Sequence, residues 1–273
     1  MELSGVYVPL ITPFDETGAV AAASLERLAH EVLDAGASGL VALGTTGEPD
    51  SLTPDERRQV VDVARRVSGE RGAGLIVGAG LATSEEAALV LVPPFIRPGE
   101  DGVLAYFRHI AQERGNIVVY HIPYRTGQVL SAAALRKLGT IDGIIGLKHA
   151  AGITADTVAL MADPPPGLAI LGGDDQFIAP MLALGAHGGI LASAHIATAE
   201  FVDLTDAWRT GDVARARMLG HRLATISAAL FAEPNPTALK AVLHAQGRIP
   251  TPRVRLPLLP AHQYTTEEVL RRL

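Results

Sequence analysis

The chain of 273 residues carries a formal net charge of −6, has a sequence pI near 5.8 and contains no cysteine. This acidic balance gives no support for nucleic-acid binding, and the lack of cysteine excludes disulfides, thiolate metal ligands and a cysteine nucleophile. No apolar run reaches the roughly 18 residues of a membrane span, and the N-terminus lacks the apolar segment of a signal peptide. We therefore expect a soluble, cytoplasmic protein with no membrane or nucleic-acid partner.

Eight short runs rich in Val, Ile and Leu recur along the chain, and charged segments separate most of them. Several runs are apolar without alternation, which is typical of parallel strands covered on both faces. The predicted strands lie at residues 5–14, 39–44, 74–80, 88–94, 116–123, 143–149, 168–173 and 188–194. Eight strands with mostly helical crossovers favour an α/β fold of the (β/α)8 TIM barrel type over a doubly wound sheet.

The segments between the strands carry helix signals. TPDERRQVVDVARRVSG, residues 53–69, opens with a Thr cap, a Pro at the first helical position and acids in the first turn. After residue 196 the strands stop, and helices are predicted near residues 198–210, 212–230 and 236–246. We therefore expect a barrel over residues 1–196 and a C-terminal helical region, residues 197–273, packed on it.

One crossover is too short for a helix and its turns. Only LATSEEA separates Gly80 from Ala88, whereas a parallel crossover normally takes a dozen or more residues. Seven extended residues reach roughly 25 Å at about 3.5 Å each, so an unwound connection is sterically feasible. The sequence therefore predicts that the helix between strands three and four is missing.

An isolated lysine, Lys148, follows an apolar run in IIGLKHAAG, residues 144–152. Lysine is rarely buried without a partner or a purpose, because desolvating the ammonium is costly. Apolar surroundings lower the pKa of the amine, and the free amine can attack a ketone and form an iminium. The structural alternative is a lysine that buries only its stem and keeps its charge in water.

Further polar groups follow neighbouring strands, where barrel enzymes place their active sites. Tyr120, near the end of strand five, can move protons, and the planar fork of Arg125 in the next loop suits a carboxylate. Thr45 and Thr46, in the turn GTTGE, offer hydroxyls beside backbone N–H groups that can also hold a carboxylate. Each has a structural alternative: a packed tyrosine, a solvated arginine and a simple turn.

Other polar residues are interpreted as structural. His121 and His149 flank the key residues but belong to no spaced ligand set, so a metal site is not indicated. The acids of GDD, residues 173–175, precede a helical pattern and are interpreted as a helix cap. Glu48 is interpreted as a capping group for backbone amides.

Taken together, these motifs resemble the pyruvate-dependent class I aldolase and lyase family that includes dihydrodipicolinate synthase and N-acetylneuraminate lyase. The resemblance spans nearly the whole chain, because its motifs occur in a consistent order. They are VPLITPF, GTTGE, YHIPYRTG, GLKHAAG, GDDQFIAPMLALGAHGGI, EPNP and RLPLLP. The resemblance implies pyruvate as first substrate, a small aldehyde as second, a homodimer or homotetramer, and no metal or organic cofactor.

The resemblance also implies roles for the candidate residues. Lys148 corresponds to the Schiff-base lysine and Tyr120 to the proton shuttle. Thr45 and Thr46 correspond to the pair that supports the tyrosine and binds the pyruvate carboxylate. The resemblance also implies three further substrate-binding positions. They are Gly47 in the same turn, Ile190 through its backbone carbonyl, and Arg125 for the carboxylate of the aldehyde.

Arg125 and the EPNP segment are most similar to the dihydrodipicolinate synthases. The implied reaction condenses pyruvate with aspartate 4-semialdehyde and gives 4-hydroxy-tetrahydrodipicolinate on the lysine pathway. Three features depart from that pattern. Phe95 occupies the position nearest to that of a family tyrosine, which completes a proton relay in the site of a neighbouring subunit. His121 replaces the usual Asn after the catalytic tyrosine, and LATSEEA replaces the helix between strands three and four.

Two alternatives stay open on these grounds. One is an aldolase that uses the same iminium to cleave a sugar-derived 2-keto acid, of the 2-keto-3-deoxy acid or sialic acid type. The other is a non-catalytic barrel that binds a keto acid or partners without turnover. The short crossover and Phe95, whose ring can pack but cannot pass a proton, favour this last alternative.

Overall fold

Eight parallel strands pair in chain order and close into a barrel, in a computed structural model that describes residues 3–273. Residues 1 and 2, at the start of the expected barrel range, lie outside the described residues. The strands are β1 (Gly5–Pro9), β2 (Gly39–Ala42), β3 (Gly74–Gly78), β4 (Ala87–Leu91), β5 (Ile117–His121), β6 (Ile144–His149), β7 (Ala169–Gly172) and β8 (Gly188–Ile190). The predicted (β/α)8 barrel is confirmed, although most strands end earlier than predicted. Apolar residues beyond the strand ends, such as Leu10 and Ile11, are buried in the rim loops instead.

The strands are buried on both faces, as their continuous apolar runs predict. Alternate side chains fill the barrel interior, including Val41, Ile76 and Val118, and the others pack outward against the helices. Tyr120 belongs to the interior set. Because of this alternation, side chains of β5 and β6 near the rim point into the barrel. Tyr120 and Lys148 are paired in register on these two strands and lie side by side.

The helices surround the barrel and then continue past its last strand. They are α1 (Ala22–Asp34), α2 (Pro54–Arg71), α3 (Gly99–Glu113), α4 (Pro123–Thr126), α5 (Ala132–Gly139), α6 (Ala155–Ala162), α7 (Ile178–Ala183), α8 (Ala194–Thr210), α9 (Val213–Leu230), α10 (Thr237–Ala245) and α11 (Gln263–Arg272). The predicted cap of α2 is present: the Thr53 hydroxyl accepts from the Glu56 N–H, and the Glu56 carboxylate accepts from the Thr53 N–H.

The C-terminal helices cover one end of the barrel. α8 crosses residue 196, departs from helical geometry at Ala197 and packs against β1, α1 and α7. α9 and α10 correspond to the two other helices predicted from the sequence, whereas α11 was not predicted. A separate apolar cluster joins the last helices, through Leu239 and Val269, to Ile11 and Ala192 at the barrel rim.

The short crossover between β3 and β4 contains no helix within the described residues, as predicted. Hydrogen bonds hold its residues 79–86 on both sides. The Glu86 carboxylate accepts from the Arg65 guanidinium at 2.7 and 3.1 Å and from the Thr83 N–H at 2.8 Å. From the other side, Arg114 donates to two carbonyls of the crossover at 3.2 and 2.9 Å. Side-chain contacts therefore replace the missing helix.

Across residues 3–273, none of the helices is both long and apolar enough to cross a bilayer.

Candidate active site

Lys148 is buried at the C-terminal end of β6, with 5% of its surface exposed. Its Nζ lies 4.1 Å from the centre of the Tyr120 ring on the neighbouring strand. Gly173, just after β7, leaves room for the lysine stem, because a Cβ at this position would lie 2.8 Å from Lys148 Cγ and 2.9 Å from Cε. The glycine therefore allows the lysine to lie directly against the end of β7.

The amine of Lys148 has no ionic partner within residues 3–273. No carboxylate oxygen of the described residues lies within 4.0 Å of Nζ. Burial lowers the pKa of Lys148 to about 8, Arg125 acts in the same direction, and Asp175 opposes them. A buried lysine with a lowered pKa exists in part as a free amine near neutral pH, which is the form that attacks a carbonyl carbon.

Tyr120 lies near the end of β5 beside the amine and is buried. Burial raises the pKa of its phenol to about 12, and the nearby Thr45 side chain opposes this shift. The phenol is therefore protonated near neutral pH and can donate to an oxygen atom held next to Lys148. Its position fits the predicted proton shuttle, and Thr45 is placed to orient it.

Thr45 and Thr46 lie in a 3-10 turn, Thr45–Gly47, directly after β2. The turn is flanked by two non-glycine residues in the left-handed region, Leu43 with φ 56° and Glu48 with φ 54°. Such conformations cost free energy and often occur at functional sites. Among the described residues, the N–H groups of Thr45 and Thr46 find no backbone acceptor, which leaves both available to a carboxylate.

Gly47, in contrast, lies beneath the turn and lines neither cavity described below. Its N–H donates to the Gly44 carbonyl at 2.9 Å, and its carbonyl accepts from the Thr12 hydroxyl at 2.8 Å. Both backbone groups are thus already bonded within the protein. These bonds indicate a structural role in the turn, and substrate binding by Gly47 stays a prediction.

Asn235 is a site residue that the sequence did not reveal. It belongs to the EPNP segment, and its Nδ2 donates to the Thr46 hydroxyl at 2.9 Å. The two residues are separated by 189 positions, so no local pattern could have paired them. The C-terminal region thus supports the threonine turn directly.

The remaining predicted residues meet around a cavity of about 30 Å³ at the C-terminal ends of the strands. They are Thr45, Thr46, Tyr120, Arg125, Lys148 and Ile190. A wider cavity of about 630 Å³ lies next to it, over β2 and β3, and shares Thr45, Tyr120, Arg125 and Asn235 with it. The small cavity leads to the amine, and the wide cavity gives room for a second reactant.

Arg125 lies in α4, where it lines both cavities. Its Nε donates to the Tyr124 hydroxyl at 3.0 Å, and its guanidinium carbon lies 5.2 Å from the centre of the Tyr124 ring. No carboxylate among the described residues pairs with it. The rest of its planar fork is therefore available to an anionic ligand.

Asp175 was interpreted from the sequence as a helix cap, and this interpretation was wrong. Its side chain caps neither the 3-10 turn Asp175–Phe177 nor α7. The carboxylate instead accepts from the Ser193 N–H at 2.5 Å, is 2% exposed and lines the small cavity with Lys148. Its place after β7, at the same rim as Lys148, was the signal that could have identified it.

Glu48 has the structural role expected of it, with one addition. Its Oε2 accepts from the Arg255 N–H at 2.9 Å, and its Oε1 accepts from Lys240 Nζ at 2.8 Å. Lys240 also donates to the Thr12 carbonyl at 2.8 Å and lies outside both cavities. This buried ion pair joins the end of the GTTGE turn to α10.

The Dihydrodipicolinate synthetase family model matches residues 2–273 of the chain. The chain belongs to this family. The 4-hydroxy-tetrahydrodipicolinate synthase 2 of Clostridium acetobutylicum is 32% identical, over 98% of this chain and 99% of that protein. The 4-hydroxy-tetrahydrodipicolinate synthase of Synechococcus elongatus is 35% identical, over 94% of this chain and 90% of that protein.

Solved structures agree with these relatives. The chloride-inhibited dihydrodipicolinate synthase of Acinetobacter baumannii, solved in complex with pyruvate, is 30% identical and superposes with a TM-score of 0.91. The match covers 99% of this chain and 98% of that one. The short crossover therefore leaves the barrel of the family intact.

Two departures from the family pattern are visible at the rim. Phe95 has φ 68° and is 89% exposed, and it lines neither cavity within the single chain. His121 Nδ1 faces His149 Nδ1 at 3.3 Å, and burial lowers the pKa of these imidazoles to about 3 and about 4. The two histidines are thus a neutral pair that joins β5 to β6 behind Tyr120 and Lys148.

Proposed function

We propose that the protein is a Schiff-base-forming lyase that condenses pyruvate with aspartate 4-semialdehyde to give 4-hydroxy-tetrahydrodipicolinate, a step of lysine biosynthesis. The observation that carries this proposal is Lys148, a buried amine without a carboxylate partner in a cavity that it shares with Tyr120. The names of the relatives, at 32% and 35% identity over nearly the full chain, support the choice of substrates and product.

The first half of the reaction forms the iminium. The Lys148 amine attacks the ketone carbon of pyruvate, a C–N bond forms, and the former ketone oxygen leaves as water after protonation. Tyr120 supplies and recovers the protons of this step, and Thr45 orients its hydroxyl. The N–H groups of Thr45 and Thr46 and the Thr46 hydroxyl hold the pyruvate carboxylate, and the Ile190 carbonyl faces the reacting carbons.

The second half of the reaction uses the iminium as an electron sink. Loss of a methyl proton converts the iminium into an enamine, whose carbon attacks the aldehyde carbon of the second substrate while the aldehyde oxygen takes up a proton. The amino group of that substrate then attacks the regenerated iminium carbon and displaces the Lys148 amine, which closes the ring and frees the enzyme. Arg125 binds the carboxylate of this substrate at the junction of the two cavities. No metal or organic cofactor is assigned, because the lysine itself supplies the electron sink.

Assembly and location complete the proposal. We assign a homodimer or homotetramer from the family resemblance, and we place Phe95 and Ile96, which are 89% and 75% exposed, at the contact between copies. We assign residues 197–273 to support of the barrel, because Asn235 bonds to Thr46. A cytoplasmic location fits the absence of cysteine.

A steady-state assay with purified protein tests the proposed function. Pyruvate is supplied with aspartate 4-semialdehyde, and consumption of both and the product are followed by mass spectrometry. We expect turnover with this pair and none in Lys148→Ala. Turnover only with 2-keto-3-deoxy sugar acids or sialic acid would replace the proposal by the aldolase alternative. Pyruvate binding without turnover on any substrate would replace it by the non-catalytic one.

A further inference from the structure

The mechanism above leaves one buried carboxylate of the site unused. Asp175 lines the small cavity together with Lys148, Tyr120 and the threonine turn. It is 2% exposed, and no cationic nitrogen of the described residues lies within 4.0 Å of it. Burying a carboxylate without a cation is costly, so its place beside the reacting amine calls for a functional account.

The Asp175 carboxylate is anchored by the backbone in the small cavity that Lys148 also lines. The Lys148 side chain packs against Gly173 just after β7, and Asp175 follows two residues later. One carboxylate oxygen, Oδ2, is fixed by the Ser193 N–H at 2.5 Å, in the loop between β8 and α8. The other oxygen has no hydrogen-bond partner among the described residues and is not sealed from the cavity. The carboxylate is thus held in place at one oxygen and free at the other.

Formation of the iminium changes the charge of the cavity. The reactive form of Lys148 is the neutral amine, whereas the iminium, the protonated imine that acts as the electron sink, carries a positive charge. A cation in a buried cavity is destabilised unless an anion lies close to it. The pyruvate carboxylate is already neutralised in part by the N–H groups of the threonine turn.

We infer that Asp175 is the counter-charge of the iminium, holding a carboxylate beside Lys148 so that the cation is stabilised as the C–N double bond forms. This inference rests on the proposed function. The step consumes the amine, the ketone and one proton and releases one water. The ionised form of Asp175, which is present above about pH 6, forms no covalent bond and exchanges no proton in this step.

The groups that face Asp175 come from each neighbouring element. They are Lys148 on β6, Tyr120 on β5, Arg125 on α4, the adjacent Asp174, and the Ser193 N–H. Burial raises the pKa of Asp175 to about 6, which the Ser193 N–H and Lys148 oppose. The counter-charge is therefore present above about pH 6 and is lost as pH falls below it. Asp175 in turn raises the pKa of Lys148.

The test compares Asp175→Asn with the matched neighbour variant Asp174→Asn. For each protein, the amount of Lys148 iminium at equilibrium with pyruvate is measured by borohydride trapping and mass spectrometry across pH 5 to 9. We expect the pyruvate concentration for half-maximal trapping to rise about tenfold or more in Asp175→Asn and to stay within about threefold in Asp174→Asn. Asp175→Glu, which keeps the charge, should recover most of the trapping.

The pH profile separates a counter-charge from a structural role. In the wild type, trapping should fall as pH drops below about 6, and Asp175→Asn should lose this acid limb. The change in trapping near pH 8, which reflects titration of Lys148, should move to lower pH in Asp175→Asn. The reason is that this variant lacks the carboxylate that raises the pKa of Lys148. A folded Asp175→Asn protein with unchanged trapping, or with both limbs unmoved, would overturn the inference.

Two further readouts keep the outcomes distinct. Absence of any trapped adduct on the wild type would defeat the proposed function, whereas an adduct insensitive to Asp175 would defeat only this inference. If Asp175→Asn does not fold, infrared difference spectra of the wild type with [¹³C]aspartate label replace it. Adding pyruvate at pH 6 should then remove a protonated-carboxyl band, and an unchanged band would contradict the inference.

Discussion

Lys148 and Lys240 are both buried, and burial lowers the pKa of each to about 8. Each ammonium position also lies 4.1 Å from the centre of an aromatic ring, that of Tyr120 and that of Phe14 respectively. By burial, pKa and aromatic contact the two lysines are nearly equivalent. They differ in their partners and in their access to a cavity.

Lys240 is bonded on two sides, to the Glu48 carboxylate and to the Thr12 carbonyl, each at 2.8 Å. Lys148 has no ionic partner within 4.0 Å among the described residues and faces a cavity. Lys240 is held in place by its two partners and lies outside both cavities, whereas Lys148 faces a cavity in which its free amine can meet a carbonyl carbon. Burial alone therefore does not make a lysine nucleophilic.

Substitution of Lys148 by Met gives the largest expected effect. Turnover should fall by about 10⁴-fold or more, because the nucleophile is lost. The free energy of unfolding should stay close to that of the wild type or rise, because a buried amine without an ionic partner is removed. Steady-state assays and denaturant unfolding measure the two quantities. The exposed Lys137→Met is the matched control, and turnover that survives in Lys148→Met would refute the assignment.

The opposite pattern is expected for Lys240→Met. Removing one partner of a buried ion pair leaves Glu48 unpaired, which should lower the free energy of unfolding by about 3–5 kcal/mol. The protein that remains folded should still form the adduct at Lys148. Adding Glu48→Gln should recover part of the loss in denaturant unfolding. A Lys240→Met protein of unchanged stability would show that the ion pair does not distinguish the two sites.

Substitution of Tyr120 by Phe tests the groups around Lys148 rather than the amine. The rate of iminium formation should fall by about 10²- to 10⁴-fold, because proton transfer to the leaving oxygen is lost. Stopped-flow measurement with pyruvate gives this rate. Tyr7→Phe is the matched control, since Tyr7 is buried in the barrel away from both cavities. Equal losses in the two variants would point to packing rather than proton transfer.

The smallest expected effect concerns pH. The rate of trapping at Lys148 should rise with pH until about 8 and then level off, because the free amine is the reactive form. Lys240→Met should leave this limb in place. Titration of Lys240 should show only in stability: its pKa is lowered from 10.5 to about 8, so the unfolded chain binds more protons between these values and stability rises with pH there. A limb that moves in Lys240→Met would contradict the comparison.

Much of the fold could be predicted from the sequence, because parallel strands and capped helices leave local patterns. The eight apolar runs were sufficient to predict the barrel, and the short LATSEEA segment was sufficient to predict that one helix is missing. Lys148 and Tyr120 could be selected as site residues because each lies near the C-terminal end of a predicted strand. The helix α11, with few buried residues, left no comparable pattern.

The parts of the site that could not be predicted depend on contacts between distant segments. The sequence did not reveal the ion pair between Lys240 and Glu48, which lies 192 positions earlier. It also did not reveal the hydrogen bond between Asn235 and Thr46. Asp175 was misinterpreted because an acid before a helical pattern usually caps it, whereas here the Ser193 N–H takes the carboxylate. Gly47 was grouped with its neighbours because sequence alone does not show which amides of a turn are already bonded.

We expect Lys148, and not the equally buried Lys240, to react with pyruvate. Incubation of the folded protein with pyruvate and borohydride, followed by proteolysis and mass spectrometry, tests this expectation directly. We expect one adduct, on the peptide that contains Lys148, and none on the peptides of Lys240 and Lys137. An adduct on Lys240, or no adduct on folded protein, would contradict it.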